Sequence, residues 1–173
     1  MNLHRSVLIV TFTFNVIMVC SLPLNPSSTD SVSIWIDPHQ AQLLSFRGTN
    51  LYILQEGQVG GLITTLAKRN GPKATVPADV SAVNVTWQAP PDCKYMFQLR
   101  SYTQNVMGTP KLNIPRKGTV PETESQFEIE LPCWSDGVAS FMIAVGITDA
   151  NQMHIPGSPI ALELRKECNA HAA

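Results

Sequence analysis

The residues that decide the fold stand at 83–99, VNVTWQAPPDCKYMFQL, in two alternating runs separated by a break. Apolar and polar side chains alternate over residues 83–88, and Tyr95, Phe97 and Leu99 resume the period-two spacing after a break. Such alternation is typical of a strand with one buried and one solvated face. Because Pro90-Pro91-Asp92 interrupts the pattern, the two strands are predicted to form a hairpin.

The same period-two pattern recurs toward both ends of the chain. Further strands are predicted at residues 32–36, 51–54, 126–131 and 160–165, and the nearly all-apolar run 138–148 predicts a central strand covered on both faces. Prolines within residues 71–77 argue against regular pairing there. Many short strands with proline-rich and glycine-rich turns favour the all-β class and an antiparallel β-sandwich.

One or two short helices are predicted beside the strands. Asp37-Pro38 supplies an N-cap and a first-turn proline, which predicts a helix of about two or three turns running toward Gly48. Residues 61–68 fit two interpretations, because their two threonines favour a strand whereas their leucines and isoleucine match one side of a helical turn.

The first part of the chain differs in composition from the rest. Residues 1–21 combine a short basic region, an apolar core and small residues near Ser21, which predicts a secretory signal peptide; a membrane anchor is the alternative. Residues 22–31 are polar and carry prolines, as a linker does. The domain is then predicted at residues 32–169, with a tail at 170–173.

Composition and motifs exclude several functions. The 173 residues contain 12 Lys and Arg against 13 Asp and Glu, so the charge that nucleic-acid binding needs is missing. The chain contains no H-E-x-x-H, G-x-S-x-G or phosphate-cradling motif, and its isolated cysteines do not form a zinc-binding pattern. A binding module without a cofactor or metal is therefore expected, and not an enzyme.

Three cysteines remain once the signal peptide is removed. In an oxidising compartment two of them should pair and one should be left over. Cys133 and Cys168 each end a predicted strand, which favours a bridge between them, while Cys93 is the alternative partner for either. A Cys133–Cys168 bridge closes a loop of about 35 residues and is worth roughly 3 to 4 kcal/mol in the chain-entropy model.

Asn84-Val85-Thr86 is the chain's one N-x-[ST] sequon without a blocking proline. Alternation places Asn84 on the face opposite Val83 and Val85, so glycosylation there predicts that this face is solvated. An unused sequon is the alternative.

With these residues in place, the chain resembles the WIF domain family of extracellular modules. Matching blocks occur in order along the domain, and the first of them, Ile34-Trp-Ile-Asp-Pro-His-Gln-Ala41, is the most specific. It is closer to the secreted branch of Wnt inhibitory factor and shifted than to the Ryk-type receptors. The other blocks are residues 53–57, 83–89, 118–121, 131–133 with 136–139, and Cys168.

The resemblance implies an Ig-like β-sandwich with two short helices, a Cys133–Cys168 bridge and a glycan on Asn84. It also implies a secreted protein that binds Wnt ligands, which carry a lipid. Members of the secreted branch continue into EGF-like repeats that assist proteoglycan attachment, which leaves glycosaminoglycan as a weaker partner expectation for a chain that stops soon after Cys168. Cys93 has no counterpart in the family pattern, so it is expected as an unpaired thiol able to dimerise the protein.

Two functional hypotheses follow from the resemblance. The first is a module that binds the acyl chain of a Wnt ligand or of a Hedgehog ligand, as a factor of the shifted type would, or a phospholipid. The second is a structural or adhesion-type sandwich with a filled core. Met96 is expected in a lipid pocket because a thioether adapts to a mobile chain, and Trp35 is expected as an exposed anchor. The candidate lining and contact residues are Trp35, Leu43, Leu44, Phe46, Leu54, Ile63, Val76, Met96 and Phe97.

Overall fold

Residues 31–44, 46, 49–66 and 73–169 are described by the computed structural model of the chain. The predicted signal peptide, the linker up to residue 30 and the tail from residue 170 lie outside them. Within these ranges, no helix has the length and apolar character that crossing a bilayer requires.

Two sheets contain the strands of the described residues. The first sheet has the order β3-β2-β1-β5-β9-β7 and the second has the order β4-β11-β10-β6-β8. The strands are β1 (Ser33–Ile36), β2 (Leu51–Gln55), β3 (Gln58–Val59), β4 (Thr75–Val76), β5 (Ala82–Gln88), β6 (Lys94–Ser101), β7 (Lys111–Leu112), β8 (Lys117–Thr119), β9 (Ser125–Glu130), β10 (Gly137–Thr148) and β11 (Ile160–Cys168). Every described strand pair is antiparallel except β4 with β11, and the predicted all-β sandwich is confirmed.

The predicted hairpin between β5 and β6 is wrong. β5 pairs with β1 and β9 in the first sheet, whereas β6 pairs with β10 and β8 in the second. The connection crosses between sheets because its backbone bonds elsewhere: the Ala89 N–H donates to the Pro121 carbonyl, and the Cys93 carbonyl accepts from Val120. Pro90 and Pro91 therefore lie where the chain passes from the first sheet to the second.

Two further strand predictions need correction. β10 is central in its sheet, but it is not covered on both faces: Phe141 is buried, while Val138 on the other face is 56% exposed. Residues Thr75–Val76, which the neighbouring prolines were expected to keep unpaired, form the short edge strand β4 beside β11. An edge strand of two residues ends before Pro77 and so loses no ladder bond to it.

Both helices are present and short. α1 (Pro38–Leu43) begins as predicted, with Pro38 in its first turn and the Asp37 carboxylate accepting from the Gln40 N–H at 2.9 Å. It ends after six residues, so it is shorter than expected. Residues 61–66 form α2 (Gly61–Leu66). The segment is helical because the Thr64 N–H donates to the Gly60 carbonyl four residues earlier at 2.9 Å, and the Thr64 hydroxyl donates to the same carbonyl.

The core between the sheets contains a cluster of aromatic rings. Trp87 lies 4.5 Å from Phe127 and 4.8 Å from Tyr95 between ring centroids, and Phe97 contacts all three rings at longer distances. Each such pair contributes about 0.5–1.5 kcal/mol beyond the burial of its area. This cluster joins β5 and β9 of the first sheet to β6 of the second.

The predicted disulfide is present, and Cys93 is the unpaired cysteine, as predicted. Cys133 and Cys168 are bonded, with 5.5 Å between their Cα atoms. Cys93 is free but buried, with 3% of its surface exposed, so it cannot reach a second chain without local unfolding. Burial is also the main cause of the raised pKa of its thiol, with Asp149 and Asp92 adding to it.

Candidate functional site

An apolar cavity of about 80 Å³ lies between the two sheets. Side chains of both sheets enclose it, together with Leu44 just after α1. None of the described residues in its walls has a polar side chain, so a water inside would lack, from these walls, the two to four partners that hold buried water. The lining residues are Ile36, Leu44, Ile53, Val76, Val83, Val85, Ile129, Leu131, Phe141, Ile143, Leu162 and Leu164.

A second apolar cavity of about 30 Å³ adjoins the first toward the aromatic cluster. The two share lining residues on both sheets, which are Ile53, Val85, Ile129, Ile143 and Leu162. Phe97 and Phe127 help to close the far side of the smaller one. The interior therefore has one continuous line of loose packing rather than isolated defects.

A bulge in β2 contributes to this loose packing. Ile34 pairs with Leu54, but the next residue, Trp35, pairs with Tyr52, which leaves Ile53 as an extra residue. Leu54 is fully buried, and the neighbouring Ile53 lines both cavities. A regular strand would send these two residues to opposite faces, so the bulge places an additional apolar side chain at the interior.

The chemistry of this interior is purely hydrophobic. The described residues that line the two cavities supply no acid, base or nucleophile. An engineered apolar cavity of about 150 Å³ stays dry and binds benzene. The larger cavity here has about 80 Å³, so a long hydrocarbon chain fits only if the sheets move apart.

The structure brings three of the nine predicted residues to these cavities. Leu44 and Val76 line the larger cavity, and Phe97 lines the smaller one. Leu54 and Ile63 are buried but line neither. They belong to the ordinary packed core.

Two predicted lining residues lie outside the interior. Met96 is 55% exposed on the outer face of the second sheet, opposite Lys117 and Gly146. Its neighbours Tyr95 and Phe97 point inward, and a strand sends successive side chains to opposite faces. Leu43 is 41% exposed because Ala41 takes the buried position of α1. Placing Met96 and Leu43 in an internal pocket was wrong.

The remaining two residues lie near an open groove on the other side of the first sheet. Trp35 points outward as predicted, since Ile34 and Ile36 point inward, and it is half-buried with its ring 6.1 Å from that of Tyr52. Phe46 lines a groove of about 290 Å³ that also contains Tyr52. This groove is separate from the cavities between the sheets.

Most of the cavity wall was missed by the sequence interpretation. Val83, Val85 and Ile129 had been placed on inward faces by alternation, but nothing local shows which inward residues of one sheet face a void and which face a side chain. Lys166 was missed as well. It is fully buried on β11, where its Nζ donates to the carbonyls of Pro77, Ala78 and Glu167. Burial lowers the pKa of Lys166.

Asn84 lies on the outer face of β5 and is partly exposed. Its backbone N–H donates to Oε1 of Gln40 in α1 at 3.4 Å, and its inward neighbours Val83 and Val85 are buried. The side chain therefore lies on the solvated face that the sequon requires.

The described residues form a β-sandwich with a capped helix after its first strand, a disulfide at its end and a loosely packed apolar interior. Together these features define the class of protein as an Ig-like sandwich domain. Residues 34–168 match the WIF domain family, and the chain belongs to that family.

Named relatives agree with this assignment. Human Wnt inhibitory factor 1 is 30% identical over 161 residues, which cover 88% of this chain and 42% of that protein. Protein shifted of Drosophila melanogaster is 27% identical over 155 residues, covering 83% of this chain and 33% of its own length. The mouse tyrosine-protein kinase RYK is 27% identical over 105 residues, covering 60% of this chain and 16% of the kinase. The chain thus spans less than half the length of these relatives.

Proposed function

We propose that this chain is a secreted binding module that takes the acyl chain of a lipid-modified Wnt ligand between its two sheets and thereby inhibits Wnt signalling. The observation that carries the proposal is the pair of adjoining cavities with entirely apolar side-chain walls. Kinship with Wnt inhibitory factor 1 supports the choice of ligand. The chain acts by binding and carries out no catalysis.

The energetics favour a joint contact with lipid and protein. Burying about 15 CH₂ groups at ~0.8 kcal/mol each releases on the order of 12 kcal/mol. Association costs roughly 4 to 15 kcal/mol, and separating the sheets adds to that cost. The acyl chain alone therefore gives weak binding, and the surface near the cavity has to contact the protein part of the ligand.

A second candidate is a Hedgehog-pathway factor that aids the distribution of its ligand. It is favoured by the similarity to Protein shifted. Because Hedgehog ligands are also acylated, the same interior would serve both functions. The two candidates differ in the protein surface that the ligand presents, so direct binding is needed to separate them.

The test uses the whole chain secreted from eukaryotic cells and immobilised. Purified Wnt and Hedgehog proteins are applied, each with and without its acyl group, and affinities are measured by biolayer interferometry. We expect at least a tenfold preference for acylated Wnt over the form without the lipid. Equal affinity for both forms of Wnt refutes acyl recognition, and a preference confined to acylated Hedgehog replaces Wnt by the second candidate.

A matched pair of variants locates the binding site. Val85→Phe fills the space shared by both cavities and is expected to abolish the preference for the acylated form. Val138→Phe makes the same change at a residue 56% exposed on the outer face of the second sheet and should leave the preference unchanged. A preference that survives Val85→Phe places the acyl chain elsewhere.

A further inference from the structure

A line of outward side chains crosses the first sheet from the sequon to its edge. Trp35 lies directly opposite Thr86 of β5 on one side and opposite Tyr52 of β2 on the other. Asn84 stands two residues before Thr86 on the same face, so it is a diagonal neighbour of Trp35, about 7–8 Å away. The rings of Trp35 and Tyr52 are 6.1 Å apart and inclined by 41°. The two rings therefore form an aromatic shelf beside Asn84.

The shelf continues into the open groove, because Tyr52 belongs to both. The groove has a volume of about 290 Å³ and offers the amide side chains of Asn50 and Gln55 alongside apolar walls. Asn50 Nδ2 lies 3.4 Å from the hydroxyl of Tyr52, to which it donates. Among the described residues that line the groove, none carries a carboxylate, amine or guanidinium group. Its chemistry suits an uncharged ligand with both hydroxyl groups and an apolar face.

Gly60 keeps the groove wall close to β2. A Cβ at this position would overlap the carbonyl oxygen of Tyr52, and the Gly60 N–H donates to the Ile53 carbonyl at 3.1 Å. The start of α2 is thereby held beside the strand.

We propose that the glycan on Asn84 lies back along the first sheet, with its first sugar rings over Trp35 and Tyr52 and later hydroxyls in the groove. A pyranose ring carries C–H groups on one face, which pack on an aromatic ring, and hydroxyls at its rim, which bond to amides. Two strand spacings and a two-residue offset along the strand, about 12 Å in all, separate Asn84 from Tyr52, a span that the asparagine side chain and two linked sugars cover.

This inference changes the role of Trp35. The sequence predicted Trp35 as an exposed anchor for the ligand, but a glycan seated on the shelf covers it. The inference rests on occupancy of the Asn84 sequon and is independent of whether the interior binds an acyl chain. A Wnt or Hedgehog partner would then contact other surfaces of the sandwich.

The first test is a double-mutant cycle on thermal stability. The chain is secreted from eukaryotic cells, occupancy of Asn84 is measured by mass spectrometry, and the Tm is compared with that of Asn84→Gln. We expect the glycan to raise Tm by about 2–4 °C, as one good aromatic contact does in a domain of this size. In the Trp35→Leu background this increase should largely disappear. Trp134→Leu is the control, because Trp134 is 65% exposed in the loop before β10.

An unoccupied sequon overturns the proposal, and so does an equal effect of the glycan on Tm in Trp35→Leu and Trp134→Leu.

A second measurement avoids any change at Trp35. The chain has three tryptophans, and Trp87 is 3% exposed. In Trp134→Phe, therefore, acrylamide quenching reports mainly on Trp35. Removing the whole glycan enzymatically should increase quenching measurably, and unchanged quenching contradicts the shelf.

Discussion

Val85→Ile tests whether the interior contains usable empty space. Val85 is 1% exposed, lies in the middle of β5 and lines both cavities. Isoleucine adds one methylene and keeps the β-branched shape that a strand favours. If that methylene enters the cavity, the gain is about 0.8 kcal/mol, which raises Tm by about 2–3 °C for a domain of this size.

The same substitution should weaken lipid binding. The added methylene occupies space that an acyl chain would need, so affinity for a fluorescent 16-carbon fatty acid should fall severalfold. Tm is measured by calorimetry and affinity by fluorescence titration, both on the secreted chain. An increase in stability together with a loss of affinity is the expected signature, because packing and ligand compete for one volume.

Val138→Ile is the control for this experiment. It adds the same methylene at a residue that is 56% exposed on the outer face of β10. Neither Tm nor affinity should change appreciably. If Val85→Ile lowers Tm by 3 °C or more, by about 1 kcal/mol or more of overpacking, the space between the sheets is already filled and the proposed pocket is refuted.

Three further predictions concern other parts of the fold. Replacing Cys133 and Cys168 together by serine should cost about 4 kcal/mol, as expected for the sequence separation of 35; a loss below about 1 kcal/mol in urea unfolding would contradict this. Cys93 should resist a thiol reagent in the native chain and react once the chain is unfolded. The pKa of the Cys93 thiol is raised in the folded state, so above about pH 9 the unfolded chain loses this proton before the native chain does. The free energy of unfolding should therefore fall as pH rises above about 9, and Cys93→Ala should make this fall less steep. Lys166→Met leaves three carbonyls without this donor and should destabilise the domain by about 1–3 kcal/mol in the same assay; no loss would mean that the cost of burying the charge equals or outweighs the gain from its hydrogen bonds.

Local sequence is sufficient to predict the direction of side chains within most strands. Alternation placed Asn84 outside and Val85 inside, and the same rule put Trp35 outside, because each depends only on the two-residue period of a strand. Met96 was misplaced when its flexible chemistry was preferred over that period. The capped start of α1 was also predictable, since Asp37 and Pro38 act on the adjacent turn.

Which strands are neighbours depends on contacts between distant parts of the chain. Nothing local distinguishes a hairpin from a crossing between sheets after Gln88, because the outcome depends on the Ala89 N–H meeting the distant Pro121 carbonyl. The cavities are decided in the same way. Their volume is the space that the side chains leave unfilled between the two sheets. It depends on the distance between the sheets and on the extra residue Ile53 in the bulge of β2. The cavity volume is therefore a property of the assembled sandwich and cannot be predicted from any single segment of the sequence.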